Sequence, residues 1–167
     1  NLVPGTGVPL RFIAPLTLNN NASALTYGFE TSVDWKPRHN WRLQGSYSFL
    51  KMHMRSNDLL QEFDPTTGGA DRISPHHRFS LRSNYDFSEK LQLNLWLRYV
   101  SPITFYNIPS YVTMDAKLLY KIRPNTELFV VGQNLFSQHH REFVPDTIPT
   151  IPTVIPQGVY GGVTWRF

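Results

Sequence analysis

The stretch Leu91-Gln92-Leu93-Asn94-Leu95-Trp96-Leu97-Arg98-Tyr99 decides the fold class. Odd positions are apolar throughout, and even positions carry Gln92, Asn94, Trp96 and Arg98. A period of two is the mark of an extended strand with one apolar and one polar face. The same alternation runs outward along the chain. Leu25 to Trp35 sets Tyr27, Phe29 and Val33 against Glu30, Ser32 and Asp34, and Trp41 to Phe49 sets Leu43 and Tyr47 against Arg42 and Gln44. His77 to Phe87 opposes Phe79, Leu81 and Tyr85 to Arg78, Arg82 and Asp86, while Val112 to Ile122 opposes Met114, Leu118 and Tyr120 to Asp115 and Lys117. Gly158 to Phe167 carries Val159, Gly161, Val163, Trp165 and Phe167 on one face. Glu127 to Phe136 is apolar on both faces, which leaves the register of residues 127–136 open, and Leu10 to Asn19 is a candidate eighth strand.

Composition supports an ordered, strand-built chain. Of 167 residues, 41% are hydrophobic and 14% aromatic, but only 17% are charged, against about 25% charged in ordinary soluble domains. No run of about 18 apolar residues exists, so a transmembrane helix is excluded. The net charge of +4 does not signal nucleic acid, because Arg42, Arg78, Arg82, Arg98, Lys117, Lys121 and Arg166 come singly rather than as a patch. Cysteine is absent, which removes disulfides and thiolate chemistry. Asn1-Leu2-Val3-Pro4-Gly5 has neither a charged nor an apolar leader segment, and the expectation is a fragment of a longer protein.

Three features set lipid above water as the solvent of the apolar faces. The strands run about 9–11 residues, enough to cross a bilayer when tilted, whereas soluble strands average about 5–6. Short turns at residues 36–40, 88–90 and 123–126 alternate with long connections at roughly 52–76, 101–111 and 137–157, the asymmetry of outer-membrane barrels. Trp35, Trp41, Phe87, Tyr120 and Trp165 flank the short turns, and Tyr27, Phe49, Tyr99, Phe105, Tyr106, Tyr111 and Phe136 lie toward the other ends. Two aromatic girdles fit headgroup levels on both sides of a membrane. On the opposite faces, Glu30, Asp34, Arg42, Arg78, Arg82, Asp86, Arg98, Asp115 and Lys117 cannot meet hydrocarbon, where a midplane Arg or Lys costs about 2–4 kcal/mol. They are expected to face a wet or protein-filled lumen.

These residues resemble the C-terminal β-barrel region of a TonB-dependent outer-membrane receptor. Tyr27-Gly28-Phe29-Glu30 is similar to the family's Y-G-x-E strand and is followed by Trp35-Lys36-Pro37; Trp41-Arg42-Leu43 then leads to Ser46-Tyr47-Ser48-Phe49-Leu50. Ser74-Pro75-His76-His77-Arg78 resembles the S-P-x-H lead into the next strand, Asn134-Leu135-Phe136 the N-L-F motif, and His140, Glu142 and Phe143 the H-x-E-F after it. The resemblance implies an antiparallel barrel of about 22 strands with a plugged lumen, of which residues 1–167 would be the last seven or eight, without the plug domain and N-terminal strands. It further implies a cell outer membrane location and uptake of a scarce ligand such as a ferric siderophore, energised by the TonB complex through the absent plug. Val159, Val163, Trp165 and Phe167 would be the signal read by the barrel assembly machinery.

Site chemistry is sparse. Phe63, Tyr106 and Phe143 are candidate ligand contacts, by their position in the long connections. The pairs His76-His77 and His139-His140 invite a metal reading, but adjacent strand residues point to opposite faces, and the structural reading is favoured. No nucleophile elbow, paired acids or Gly-rich phosphate loop is present; the expectation is a non-enzyme with no cofactor. Asn134 is expected to fix strand-end hydrogen bonds. Two rival readings are a small standalone outer-membrane barrel with a structural or adhesive role, and a soluble carbohydrate-binding β-sandwich.

Overall fold

A computed structural model describes residues 22–56, 71–136, 139–144, 151 and 153–167. The strands are β1 (Ala22–Arg38), β2 (Trp41–Ser56), β3 (His77–Asp86), β4 (Leu91–Val100), β5 (Tyr111–Arg123), β6 (Thr126–Gln133), β7 (His139–His140), β8 (Ile155–Pro156) and β9 (Gly158–Trp165). β1 to β6 and β9 form one seven-stranded sheet, each hydrogen-bonded to the next in chain order, and β7 pairs with β8 in a separate ribbon. All pairings are antiparallel. The architecture is an all-β meander, part of a barrel. The candidate strand Leu10 to Asn19 lies outside the described residues.

Register carries the alternation of each strand into a common surface. Leu97 faces Leu81 on β3 and Met114 on β5, and Leu95 faces Ser83 and Ala116. On the reverse face Trp96 sits opposite Arg82 and Asp115. Troughs along the sheet are lined by polar-face residues, among them Glu30, Ser48, Arg78, Trp96 and Arg98 in one of about 440 Å³ and Asp34, Gln44 and Arg82 in another. The sheet therefore curls with its polar face concave. Its convex face is apolar yet uncovered: Val33 is 61% exposed, Trp165 65% and Val163 64%. Ile108 and Val131 are the buried hydrophobic residues among those described. A water-soluble sheet would cover that face; lipid tails can do so here.

Several boundaries differ from the sequence-based expectation. β1 continues through Lys36-Pro37 to Arg38, with a register shift between Trp35 and Arg38, so the first turn shrinks to His39-Asn40. A bulge is one of the few places a strand accepts proline, which has no N–H to donate. β2 runs to Ser56 and takes in the start of the expected 52–76 connection. β3 ends at Asp86, leaving Phe87 in the turn. β6 stops at Gln133 because Asn134 adopts a left-handed φ of 56°. The open register also resolves: Leu128 and Val130 pair with Tyr120 and Leu118 on the convex face, which turns Phe129 and Val131 to the polar side. The connection at 101–111 holds a short 3-10 helix (Thr104–Tyr106) and an Ile103–Ile108 bridge.

The short turns share one device. The residue before each returning strand lends its carbonyl to the neighbouring hairpin: Asn40 accepts from the Asp86 N–H at 2.9 Å, Lys90 from Lys121 at 2.8 Å and Asn125 from Arg166 at 2.9 Å.

Candidate functional site

The pairing register brings Glu30, Asp34, Arg42, Arg78, Arg82, Asp86, Arg98, Asp115 and Lys117 to the concave face. Toward the short-turn end, Arg42 forks onto Asp34, its Nε donating to both carboxylate oxygens at 3.0 and 3.1 Å, and Gln44 adds a bond at 3.3 Å. Gln92 ties Asp86 at 2.6 Å and accepts from Asn94 at 3.2 Å.

The centre is organised by Trp96. Cross-strand Arg82 and same-strand Arg98 each place a guanidinium 4.3 Å from its ring centroid, and its indole N–H donates to Ser80 Oγ at 2.8 Å. A Trp ring approached by two guanidinium groups gains cation–π attraction from both. Arg98 also donates to Asp115 at 2.8 Å, while Lys117 lies 5.1 Å from the Phe129 ring centroid. Gly162 makes room for that ring: a Cβ there would lie 2.6 Å from the ring edge. No ion pair engages Arg78 or Arg82 among the described residues. Lys117 has none either, so among the described residues the concave wall presents three cations without an ion pair, two of them, Arg78 and Arg82, beside Ser46, Ser48 and Ser80, a surface suited to polar and anionic solutes.

At the upper rim Asn134 is a junction. Its N–H donates to Asp115 Oδ1 at 3.0 Å, its Oδ1 accepts from Thr113 at 2.8 Å, and its Nδ2 donates to the Pro156 carbonyl at 3.0 Å. β5, the β6 terminus and β8 are thereby linked to the Arg98–Asp115 pair. Nearby, the His140 ring packs tilted against Tyr111 with centroids 4.5 Å apart and donates from Nε2 to Glu142 at 2.7 Å. His140 is buried, as are Ser101, Thr113 and Ile108.

Of the candidate ligand contacts, Tyr106 ends the 3-10 helix and stacks edge-on with Phe105. Phe143 is exposed after β7, and Phe63 lies outside the described residues. One girdle expectation changes. Tyr111 pairs with Val100 on the concave face, while Phe105 and Tyr106, within the expected 101–111 connection, lie in its short 3-10 helix. Convex-face aromatics do gather at both ends. Tyr27, Phe29, Tyr47 and Phe49 cluster at the upper end, where Tyr47 and Phe49 also meet His77, and Trp41, Tyr85 and Phe87 cluster below. The histidine pairs have separate tasks: His76 reaches the Asp71 carbonyl and His77 the Tyr47 hydroxyl. Among the described residues no three metal-ligating side chains gather. Val159, Val163, Trp165 and Phe167 are exposed on the last strand and just after it.

Trp96 and Phe129 were not singled out as organising residues by the sequence. The available signal for Trp96 was a large aromatic on a strand's polar face with Arg two residues away.

A family model described as TonB dependent receptor-like, beta-barrel, matches residues 2–135. No curated protein sequence matches the chain. Among solved structures the chain is similar to the P. aeruginosa FpvA complex with heterologous pyoverdine and iron (16% identity, TM-score 0.66, 86% of this chain and 20% of that one). It is similar also to the FpvAI–pyocin S2 complex (16%, 0.65, 86% and 20%) and to the copper transporter OprC (14%, 0.60, 86% and 24%). At these identities the likeness carries the fold. The chain spans about a fifth of the length of the FpvA structures.

Proposed function

The chain belongs to the TonB-dependent receptor β-barrel family, and from that premise we propose that it is the C-terminal barrel segment of an outer-membrane active-transport receptor. In this reading it supplies the last strands of a larger barrel. The convex face meets lipid, and the concave face lines a lumen occupied by a plug domain and crossed by a scarce ligand, such as a ferric siderophore, with energy delivered through TonB. The observation that carries the reading is the sorting of charge by register: nine charged side chains share one curved face, and the other face carries no charge between its aromatic ends. Pyoverdine and copper, named for the structurally similar proteins, make a metal chelate the first ligand class to try. Arg78 and Arg82 would draw an anionic chelate along the wall, with Tyr106, Phe143 and Phe63 touching it at the rim. Val159, Val163, Trp165 and Phe167 would present the closing strand to the assembly machinery.

Two measurements test this. The protein should require detergent for extraction and migrate faster on gels unheated than boiled. Cells carrying it should then accumulate radioiron supplied as ferric pyoverdine, and lose that uptake without TonB. Recovery in the soluble fraction, or uptake indifferent to TonB, overturns the reading.

A further inference from the structure

The β1–β2 hairpin outreaches its neighbours. β3 meets β2 only as far as Phe49, opposite His77, whereas β1 and β2 stay paired on to Ala22 and Ser56. Unbroken register from Phe29–Phe49 through Tyr27–Lys51, Leu25–His53 and Ser23–Arg55 keeps these residues on the convex face. Three successive convex positions of β2 are therefore Lys51, His53 and Arg55. From Trp41 through Phe49 that face of β2 holds no charge, and the convex face of β4 from Leu91 to Tyr99 is equally uncharged.

Height decides what these side chains meet. A strand tilted by about 35–45° climbs roughly 2.5 Å per residue. Counting from Trp41 in the lower girdle, Phe49 stands about 20 Å up, Lys51 about 25 Å, His53 about 30 Å and Arg55 about 35 Å, against an apolar band of about 25 Å. The basic residues thus emerge where hydrocarbon ends, directly above the ring cluster of Tyr27, Phe29, Tyr47 and Phe49. Tyr27 also holds His53, with rings 5.8 Å apart and its hydroxyl 3.4 Å from Nε2.

We propose that the upper β1–β2 hairpin binds the phosphate groups of outer-leaflet lipids through Lys51, His53 and Arg55. Charge complementarity and continuity with the lipid-facing band select this occupant: the surface begins where the apolar band stops and carries no acidic side chain. The inference rests on the outer-membrane reading above. Each basic residue at an anionic surface strengthens binding about fivefold, so removing Lys51 and Arg55 should weaken it about 25-fold.

The test uses the whole protein extracted from its own outer membrane, with lipid phosphate measured per protein after matched detergent washes. A variant with Lys51→Gln, His53→Gln and Arg55→Gln should lose most of the phosphate. Arg72→Gln with Arg141→Gln, removing two exposed cations of the rim connections, should keep it, as should the charge-preserving pair Lys51→Arg and Arg55→Lys. In phosphatidylcholine vesicles, adding phosphatidylglycerol should slow thermal unfolding of the parent and not of the triple variant, and inorganic phosphate should not substitute. Equal phosphate retention by parent and triple variant, or protection by inorganic phosphate alone, overturns the proposal. Recovery of the parent without detergent would instead overturn the membrane reading, before any phosphate is measured.

Discussion

Asp115 is the most informative single perturbation on the concave face. Its carboxylate receives Arg98 at 2.8 Å through one oxygen and the Asn134 backbone N–H at 3.0 Å through the other. The Arg98 and Asp115 side chains are only 30% and 20% exposed, so neither partner is fully solvated when the other is lost. Asp115→Asn keeps an acceptor for Asn134 and removes the charge. A charge-assisted hydrogen bond contributes about 1.5–3 kcal/mol, and partial solvation moves the expected loss to the lower end, about 1.5 kcal/mol. Asp115→Ala strands both the Arg98 guanidinium and the Asn134 N–H, and should destabilise by about 3 kcal/mol. A double-mutant cycle with Arg98→Met should return a coupling of about 1–2 kcal/mol. The readout is urea unfolding in lipid vesicles, followed by loss of the heat-modifiable gel shift. If both Asp115 variants lay within about 0.5 kcal/mol of the parent, the concave network would be ornament and the reasoning would fail.

Three further outcomes follow from the geometry. A Cβ on Gly28 would sit 2.2 Å from the Phe49 carbonyl oxygen, whereas one on Gly45 would meet nothing within 4 Å; Gly28→Ala should cost about 1–3 kcal/mol by overpacking and Gly45→Ala almost nothing in the same unfolding assay. Leu95→Arg, at mid-strand on the convex face, should destabilise by about 2–4 kcal/mol in lipid, while Leu91→Arg at the strand's lower end should cost about 1 or less. Asn134→Ala should lose about 2–3 kcal/mol, since it forfeits two side-chain bonds and strains a left-handed φ. Asn134→Gly, which relieves the strain, should lose less, and hydrogen exchange at residues 155–157 should quicken in both.

Alternation was readable wherever one face was wholly apolar, as in Leu91–Tyr99, because period and solvent agree there. Leu128 to Val131 offered no such contrast, and only pairing with Leu118 and Tyr120 could turn Phe129 inward. Pro37 reads as a turn because it cannot join a regular ladder, yet a bulge serves equally well, and the strand passes through it. Tyr111 is adjacent to the convex Val112 and so belongs to the other face; grouping aromatics by height concealed that parity. The Tyr111–His140–Glu142 cluster joins distant parts of the chain, and no local pattern announces it. Arg82, Trp96 and Arg98 share a polar face in the sequence, but their stacking depends on the β3–β4 register, which neither strand encodes alone.

The carbonyls of Asn40, Lys90 and Asn125 act like the teeth of a gear, each locking one hairpin to the next at a fixed step. Side chains switch faces at every residue, so a single inserted residue in one of these turns would behave as a frameshift. Unless a bulge took up the extra residue, as one does between Trp35 and Arg38, the next strand would turn its arginines to the convex face and its leucines to the concave one. Insertions of two residues would restore parity and change only the stagger. The inner rim is thus where this sheet keeps count.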